Sequence, residues 1–304
     1  MSPVVASTMG NARSLRFSAR AFALALVLSG ATNAHASDDG KIEAMPPPEV
    51  IVANETMVDV QRRDLSNTVP AGQPISIDNP YGDVRLRFGG YEHAVDIHAT
   101  FQQPAGAALI MLEPRSENGR HVIAPRLPPG VVLAAGQRID LVVYVPEKHG
   151  VSVRTERGLI EGRGLKSDLE LRSVDGDIIL RGTDGTVQAE TAAGAIEAAL
   201  LPSKPGWSQR LATSTGNILI GASDKLDANL LMSTSGVFAT EFSLVVSRRP
   251  GEEPNKQART TIGDGNSELL VESRRGEIKL LRRAEYNEVP EEAPSKPSNS
   301  GEGR

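Results

Sequence analysis

The sequence predicts an all-β chain: a single-stranded β-helix or β-solenoid-like stack of short strands joined at Ser/Thr-x-x-Gly corners. Three observations predict it. A phrase of Ser or Thr, two variable residues, Gly, one small or polar residue and a large apolar one begins at Thr155, Ser173, Thr191, Thr213, Ser233 and Ser273. Its glycines, Gly158, Gly176, Gly194, Gly216, Gly236 and Gly276, stand 18, 18, 22, 20 and 40 residues apart, the last gap being about two periods. A period near twenty marks units that bury their apolar faces on one another. The flanks alternate with period two: Leu169, Leu171 and Ser173 share one parity, Glu170 and Arg172 the other. Aromatic residues are only 4% while Gly numbers 29, a balance that suits a thin aliphatic column better than a broad core. The alternative is an antiparallel β-sandwich with similarly spaced turns.

Each phrase reads as a corner. In a type I turn Ser, Asp or Asn suits the first position and Gly the fourth, as in Ser173-Val174-Asp175-Gly176. The hydroxyl can bond an amide inside the turn, and Gly accepts dihedrals that other residues resist. If coils stack, like positions lie about 4.8 Å apart. Ile160, Ile178, Ile196, Ile218, Phe238 and Ile278 then form an inner apolar ladder beside the ladder of hydroxyls.

Residues 1–36 read as a secretory signal peptide: Arg13, Arg16 and Arg20 precede the apolar run Ala21 to Leu28, and Ala34-His35-Ala36 supplies the cleavage pattern. That run is shorter than the roughly 20 residues a membrane-spanning helix needs. No transmembrane segment is therefore expected after cleavage, and the mature chain is expected in the periplasm or at the cell surface. Residues 37–50, with Pro46, Pro47 and Pro48, read as a linker. Residues 51–146 form an N-terminal β section, either opening coils or a small sandwich, in which Asn79-Pro80-Tyr81-Gly82 repeats the corner with Asn in the hydroxyl position. Residues 147–283 are the repeat domain, and 284–304, rich in Pro, Glu and Ser, an expected disordered tail.

Two insertions interrupt the repeat, Pro202 to Gln209 with Lys204 and the single Trp207, and Arg248 to Ala258 with Arg248 and Arg249. Loops on a rigid scaffold commonly carry binding residues, so these four are the candidate binding residues. The plainer reading is an edge cap and a solvated excursion.

The run Ile139 to Val145 with Pro146, then Gly150-Val151-Ser152-Val153-Arg154-Thr155 and the repeated Ser/Thr-x-x-Gly-x-Ile phrases, resembles the bacterial putative-adhesin family of unknown function. The likeness spans roughly Ile75 to Leu281. It implies an extracytoplasmic β-solenoid that binds an envelope or surface ligand, protein or glycan, and it supplies no catalytic residues. The 40-residue gap before Gly276, which hides a coil without a recognisable corner, and the apolar Ala195 and Val237 depart from the pattern.

Composition narrows the chemistry. There is no Cys, which excludes disulfides, thiolate metal sites and a cysteine nucleophile. Removing Arg13, Arg16 and Arg20 takes the formal charge from −5 to −8, so no nucleic-acid partner is expected. Stacked carboxylates on an outer face serve polysaccharide-cleaving β-helices, but the row after each Gly reads Asp83, Leu159, Asp177, Ala195, Asn217, Val237 and Glu277, broken by apolar residues. In the row before each hydroxyl, Arg172 is expected to pair with Glu190. Asp175-Gly176-Asp177 and Asp264-Gly265 resemble fragments of calcium loops without the ligand count. Asp96 and His98 share a face, with no Ser elbow to complete a triad; His93, His121 and His149 stand singly. No catalytic, cofactor or metal residue is assigned. The expected role is a secreted, non-catalytic binding or structural module of the bacterial envelope; the alternatives are a carbohydrate-active β-helix enzyme and a periplasmic partner in envelope-stress signalling.

Overall fold

Where Val, Ile and Leu alternate with polar residues the chain forms strands, because a pleated strand sends successive side chains to opposite faces. The computed structural model describes residues 58–90, 93–200, 204–223 and 225–282, all of them strand, turn or loop. The expected signal peptide, linker and tail lie outside the described residues.

The first part of the chain holds β1 (Val58–Thr68), β2 (Ile75–Asn79), β3 (Val84–Phe88), β4 (Ala94–Pro104), β5 (Arg115–Glu117), β6 (Arg120–Ile123) and β7 (Arg138–Val145). The central coils follow as β8 (Val151–Thr155) with β9 (Ile160–Arg163), β10 (Leu169–Ser173) with β11 (Ile178–Thr183), β12 (Val187–Thr191) with β13 (Ile196–Leu200), and β14 (Ser208–Thr213) with β15 (Ile218–Ala222). The chain closes with β16 (Ala228–Thr234), β17 (Phe238–Thr240), β18 (Val245–Arg248), β19 (Lys256–Ile262), β20 (Ser267–Ser273) and β21 (Ile278–Arg282).

Two sheets enclose one core. The ten-stranded sheet runs β1-β4-β7-β3-β9-β11-β13-β15-β21-β17, and the eleven-stranded sheet β18-β19-β16-β20-β14-β12-β10-β8-β2-β6-β5. Each central coil gives one strand to each sheet, so neighbours within a sheet are parallel and one coil apart in sequence. Ile178 pairs with both Ile160 and Ile196, and Ile218 with Ile196 and Ile278. Val84, Ile160, Ile178, Ile196, Ile218 and Ile278 thus form a column no more than 1% exposed. Burial of a side chain this size contributes roughly 1.5–3 kcal/mol. Antiparallel pairing is confined to the two ends.

The ends depart from sequential stacking. Parallel pairing continues from β8 and β9 through β2 and β3 to β6 and β7, so it crosses the 146/147 boundary without a break. At the other end, β20 and β21 lie between β14/β15 and β16/β17. The 40-residue gap therefore hides no further coil in register. It holds the antiparallel pair β18–β19, after which the chain returns to fill a vacant slot. In space the apolar ladder consequently reads Ile218, Ile278, Phe238.

The corners hold the coils in register. The Thr191 hydroxyl accepts the Gly194 N–H at 3.1 Å and donates to the Gly176 carbonyl of the neighbouring coil at 3.0 Å. Thr213 does the same between Gly216 and Gly194, and Ser273 between Gly276 and Gly216. Ser173 accepts the Gly176 N–H, and Thr155 donates to Gly158 O and to Ser173 Oγ. Asn79 follows the same plan with an amide, accepting from Tyr81 N and donating to Ile139 O.

Two expectations are corrected here. At the outermost corner the hydroxyl is that of Thr234, not Ser233: Thr234 accepts the Gly236 N–H at 2.8 Å and donates to Gly276 O at 2.7 Å. Period two explains it, since Leu230 and Met232 point inward and Ser233 therefore points out. The glycines are also required for another reason than dihedral freedom. None of Gly82, Gly158, Gly176, Gly194, Gly216, Gly236 and Gly276 has a positive φ. A Cβ on any of them would instead overlap a backbone carbonyl of the adjacent coil, as Gly194 would meet Gly176 O.

Gly194→Ala is expected to cost more than about 2 kcal/mol, because backbone must move. Gly72→Ala, at φ +72° with nothing within 4 Å of the new Cβ, is expected to cost about 1 kcal/mol. Equal shifts in denaturant midpoint for the two would refute close approach as the reason for the corner glycines.

Candidate functional site

The outward row that follows each corner glycine is bound into the scaffold. Asp140 Oδ1 accepts the Asp83 N–H at 2.9 Å, Asp83 Oδ1 the Leu159 N–H at 3.0 Å, Asp177 Oδ1 the Ala195 N–H at 2.7 Å and Asn217 Oδ1 the Glu277 N–H at 2.8 Å. Each side chain caps an amide that the next corner leaves over. Leu159 and Ala195, two of the three apolar positions in the row, are recipients and need no polar side chain. In the row before the hydroxyls, Arg172 and Glu190 are register partners, but Arg172 bonds Glu170 of its own strand at 2.9 Å.

The remaining candidates fall apart in space. At the Asp264-Gly265 fragment, the neighbouring Asp227 takes the Asn266 side-chain amide on Oδ2 at 2.6 Å and its backbone N–H on Oδ1, bonds that hold the Asp227 carboxyl below its usual range. Among the described residues no three carboxylates or imidazoles gather as a metal site. Ser66, Asp64, Asp96 and His98 do meet across β1 and β4, yet Ser66 Oγ donates to Asp96 at 2.6 Å while His98 Nδ1 lies 2.6 Å from Asp64. The hydroxyl thus faces a carboxylate and not the imidazole, which is the wrong order for nucleophile activation.

Lys204 and Trp207 sit together at the turn leading into β14. The Lys204 ammonium lies 4.9 Å from the Trp207 ring centre and 3.2 Å from the Asp184 carboxylate of the preceding coil. Arg249 bonds Gln257 Oε1 at 2.7 Å, and the exposed Arg248 ends β18. Trp207 precedes Ser208, the first residue of β14, whereas Arg248 pairs with Lys256, and Lys256 with Thr234, at the corner end of the sheet. The two insertions therefore occupy opposite edges and cannot form one site.

A site unforeseen in the sequence lies on the outer face of the eleven-stranded sheet. A shallow groove of about 250 Å³ crosses neighbouring strands and is lined by Arg120, Ser152, Asp168, Glu170, Thr186 and Gln188. Ser152, Glu170 and Gln188 are register partners on β8, β10 and β12. Asp168 Oδ1 accepts both the Thr186 N–H at 2.8 Å and its hydroxyl at 2.7 Å, fixing one wall. The signal for this row was present: its members stand three residues before Thr155, Ser173 and Thr191 and are all polar.

No family model matches the sequence, and no curated protein matches it. Solved structures similar to it include a putative cell adhesion protein from Clostridium sporogenes (11% identity, TM-score 0.44, covering 73% of this chain and 100% of that one). A putative adhesin from Bacteroides fragilis aligns at 12% identity and TM-score 0.38 over 73% of this chain and 97% of its own. One from Parabacteroides merdae aligns at 11% and 0.27, over 73% and 96%.

Asp177→Ala is expected to lower stability by about 1 kcal/mol by stripping the Ala195 amide of its acceptor, while Asp177→Asn, which keeps an oxygen there, stays close to wild type in urea unfolding. A second expectation concerns pH. His121 is 4% exposed, its Nε2 has no hydrogen-bond partner among the described residues, and burial pushes its pKa below the ordinary value. Below about pH 6.5 the unfolded chain takes the proton first, so His121 withdraws stability as pH falls from there toward its folded pKa. His121→Leu is expected to reduce the difference between denaturant midpoints at neutral and mildly acidic pH; an unchanged difference would clear His121 of that role.

Proposed function

We propose that the protein is a secreted, non-catalytic β-solenoid of the bacterial cell envelope, adhesin-like in binding a surface ligand, and that it does so on the outer face of its eleven-stranded sheet. The groove over Ser152, Glu170 and Gln188 supports this reading. Its side chains come from successive coils, so they repeat at the strand spacing of about 4.8 Å and suit an extended polar ligand lying across the strands. Hydroxyl, amide and carboxylate groups in one row match the hydrogen-bonding edge of a glycan. The groove lacks an aromatic stacking platform, which favours edge-on contacts over ring stacking.

The corner row supports the non-catalytic part of the reading. Of the outward polar groups in that row, Asp83, Asp177 and Asn217 are bonded to backbone amides and Glu277 is paired with Lys279. The leader-like residues 1–36 support secretion, and the family resemblance supports the envelope location.

Paired substitution of Glu170→Lys and Gln188→Lys is expected to weaken capture of isolated envelope glycans by the mature chain roughly tenfold or more, the scale of one good interfacial contact. Joint substitution of Lys204→Ala and Trp207→Ala is expected to leave capture intact. Unchanged capture by the paired variant would remove the groove from the proposal, and release of reducing ends from a polysaccharide panel would replace binding with catalysis.

A further inference from the structure

The two sheets end in four edge strands, and an unpaired edge offers its N–H and C=O groups to any extended segment. Three of the four are blunted. β1 carries exposed Asp59, Arg62, Arg63 and Asp64, and β5 and β17 are three residues long. β18 is different. Val245-Val246-Ser247-Arg248 is exposed at every position, with Val245 76% and Val246 52% exposed, and Leu244 extends the apolar run.

The direction of its backbone groups can be fixed. The Arg249 N–H bonds the Asn255 carbonyl at 2.8 Å, and the register pairs Ser247 with Gln257 and Val245 with Arg259. Bonded pairs alternate along an antiparallel ladder, so Val245 and Ser247 turn their N–H and C=O toward β19. Val246 and Arg248 turn theirs outward, at the end of the sheet.

We propose that β18 is a self-association edge, on which a second copy of this chain lays its own β18 antiparallel about a two-fold axis, joining the two eleven-stranded sheets. A two-fold contact is self-complementary by construction, and the residues here meet that demand. Antiparallel pairing keeps the basic Arg248 and Arg249 of the two copies at opposite ends of the joint, each toward the side from which the partner's chain enters β18 after Glu241, an exposed carboxylate that accepts the Arg282 N–H. Parallel pairing would place like charges side by side, which is destabilising. Apolar surface accompanies the backbone pairing, since Val237 of the outermost corner is 61% exposed and Phe242 and Leu244 are half-buried. The pair would carry two grooves, which raises avidity for a repeating ligand without a new contact.

Sedimentation of the full chain at rising concentration is expected to show twice the mass of one chain. Val246→Pro is expected to restore the single-chain mass at an unchanged thermal midpoint, because the N–H it removes faces away from β19. Val246→Lys, which places a charge on the edge, is expected to do the same and covers a failure of the proline variant to fold. A wild type that stays single, or a dimer that survives both substitutions, overturns the proposal. A chain ending at Arg282 that dimerises when the full chain does not would assign the edge to residues 283–304, which overturns it as well.

Discussion

The contact on which the molecule depends is the one between stacked corner glycines. At Thr191, Thr213, Ser273 and Thr234 a single hydroxyl accepts the N–H of its own glycine and donates to the carbonyl of the glycine in the adjoining coil. All four donations run in one direction along the stack, and within each corner the bond the hydroxyl accepts strengthens the one it donates. The approach is close enough that no Cβ fits, and the glycine is the condition for the hydroxyl to reach both partners. Side-chain period two then fixes everything downstream. With the hydroxyl turned inward, the apolar residues two and four positions before it must also face inward, as Leu169 and Leu171 do before Ser173.

The same constraint shapes both ends. A stack of parallel coils has bare edges, and the chain covers them by moving out of order. The first corner coil, β2 and β3, is flanked outward by β6 and β7, and the last, β20 and β21, is flanked outward by β16 and β17. In both cases the corner coil is covered on its outer side by strands from elsewhere in the chain. β2, β3, β20 and β21 are thereby bonded on both sides, while β1, β5, β17 and β18 form the sheet edges. The consequence is a long-range pairing: the outer neighbour of β15 is β21, more than fifty residues later in the chain. Such a non-local closure bears a loop-entropy cost before its contacts form.

Much of this could be read from the sequence, and the limits have physical reasons. The central coils were legible because Thr155, Ser173, Thr191 and Thr213 recur with their glycines and because each flank alternates. Coil order at the ends was not legible, since a corner phrase records a local turn and carries no information on which coil lies beside it. Ser233 was misplaced because the glycine spacing outweighed the parity of Leu230 and Met232, and in a strand parity is the stronger constraint: a one-residue slip turns every side chain to the other face. The role of Asp177 was hidden for a related reason. Its partner, Ala195, is a backbone amide of the next coil, and backbone donors leave no trace in a residue pattern.

This division between corner and face explains where function can reside. The corner rows are satisfied internally, hydroxyl to amide and carboxylate to amide, and altering them disturbs the stack. Outward positions within the strands are under no such demand: Ser152, Glu170, Gln188 and Arg210 occupy one register row with four different chemistries and an identical backbone. A scaffold that fixes position through glycines and hydroxyls leaves these residues to vary one coil at a time, each substitution changing one point along a line of evenly spaced contacts. Recognition of an extended, repeating ligand needs little more than that regular spacing, whereas catalysis needs two groups converging on one atom. The outer face supplies that regular spacing, and the groove over Ser152, Glu170 and Gln188 is where the proposed binding would use it.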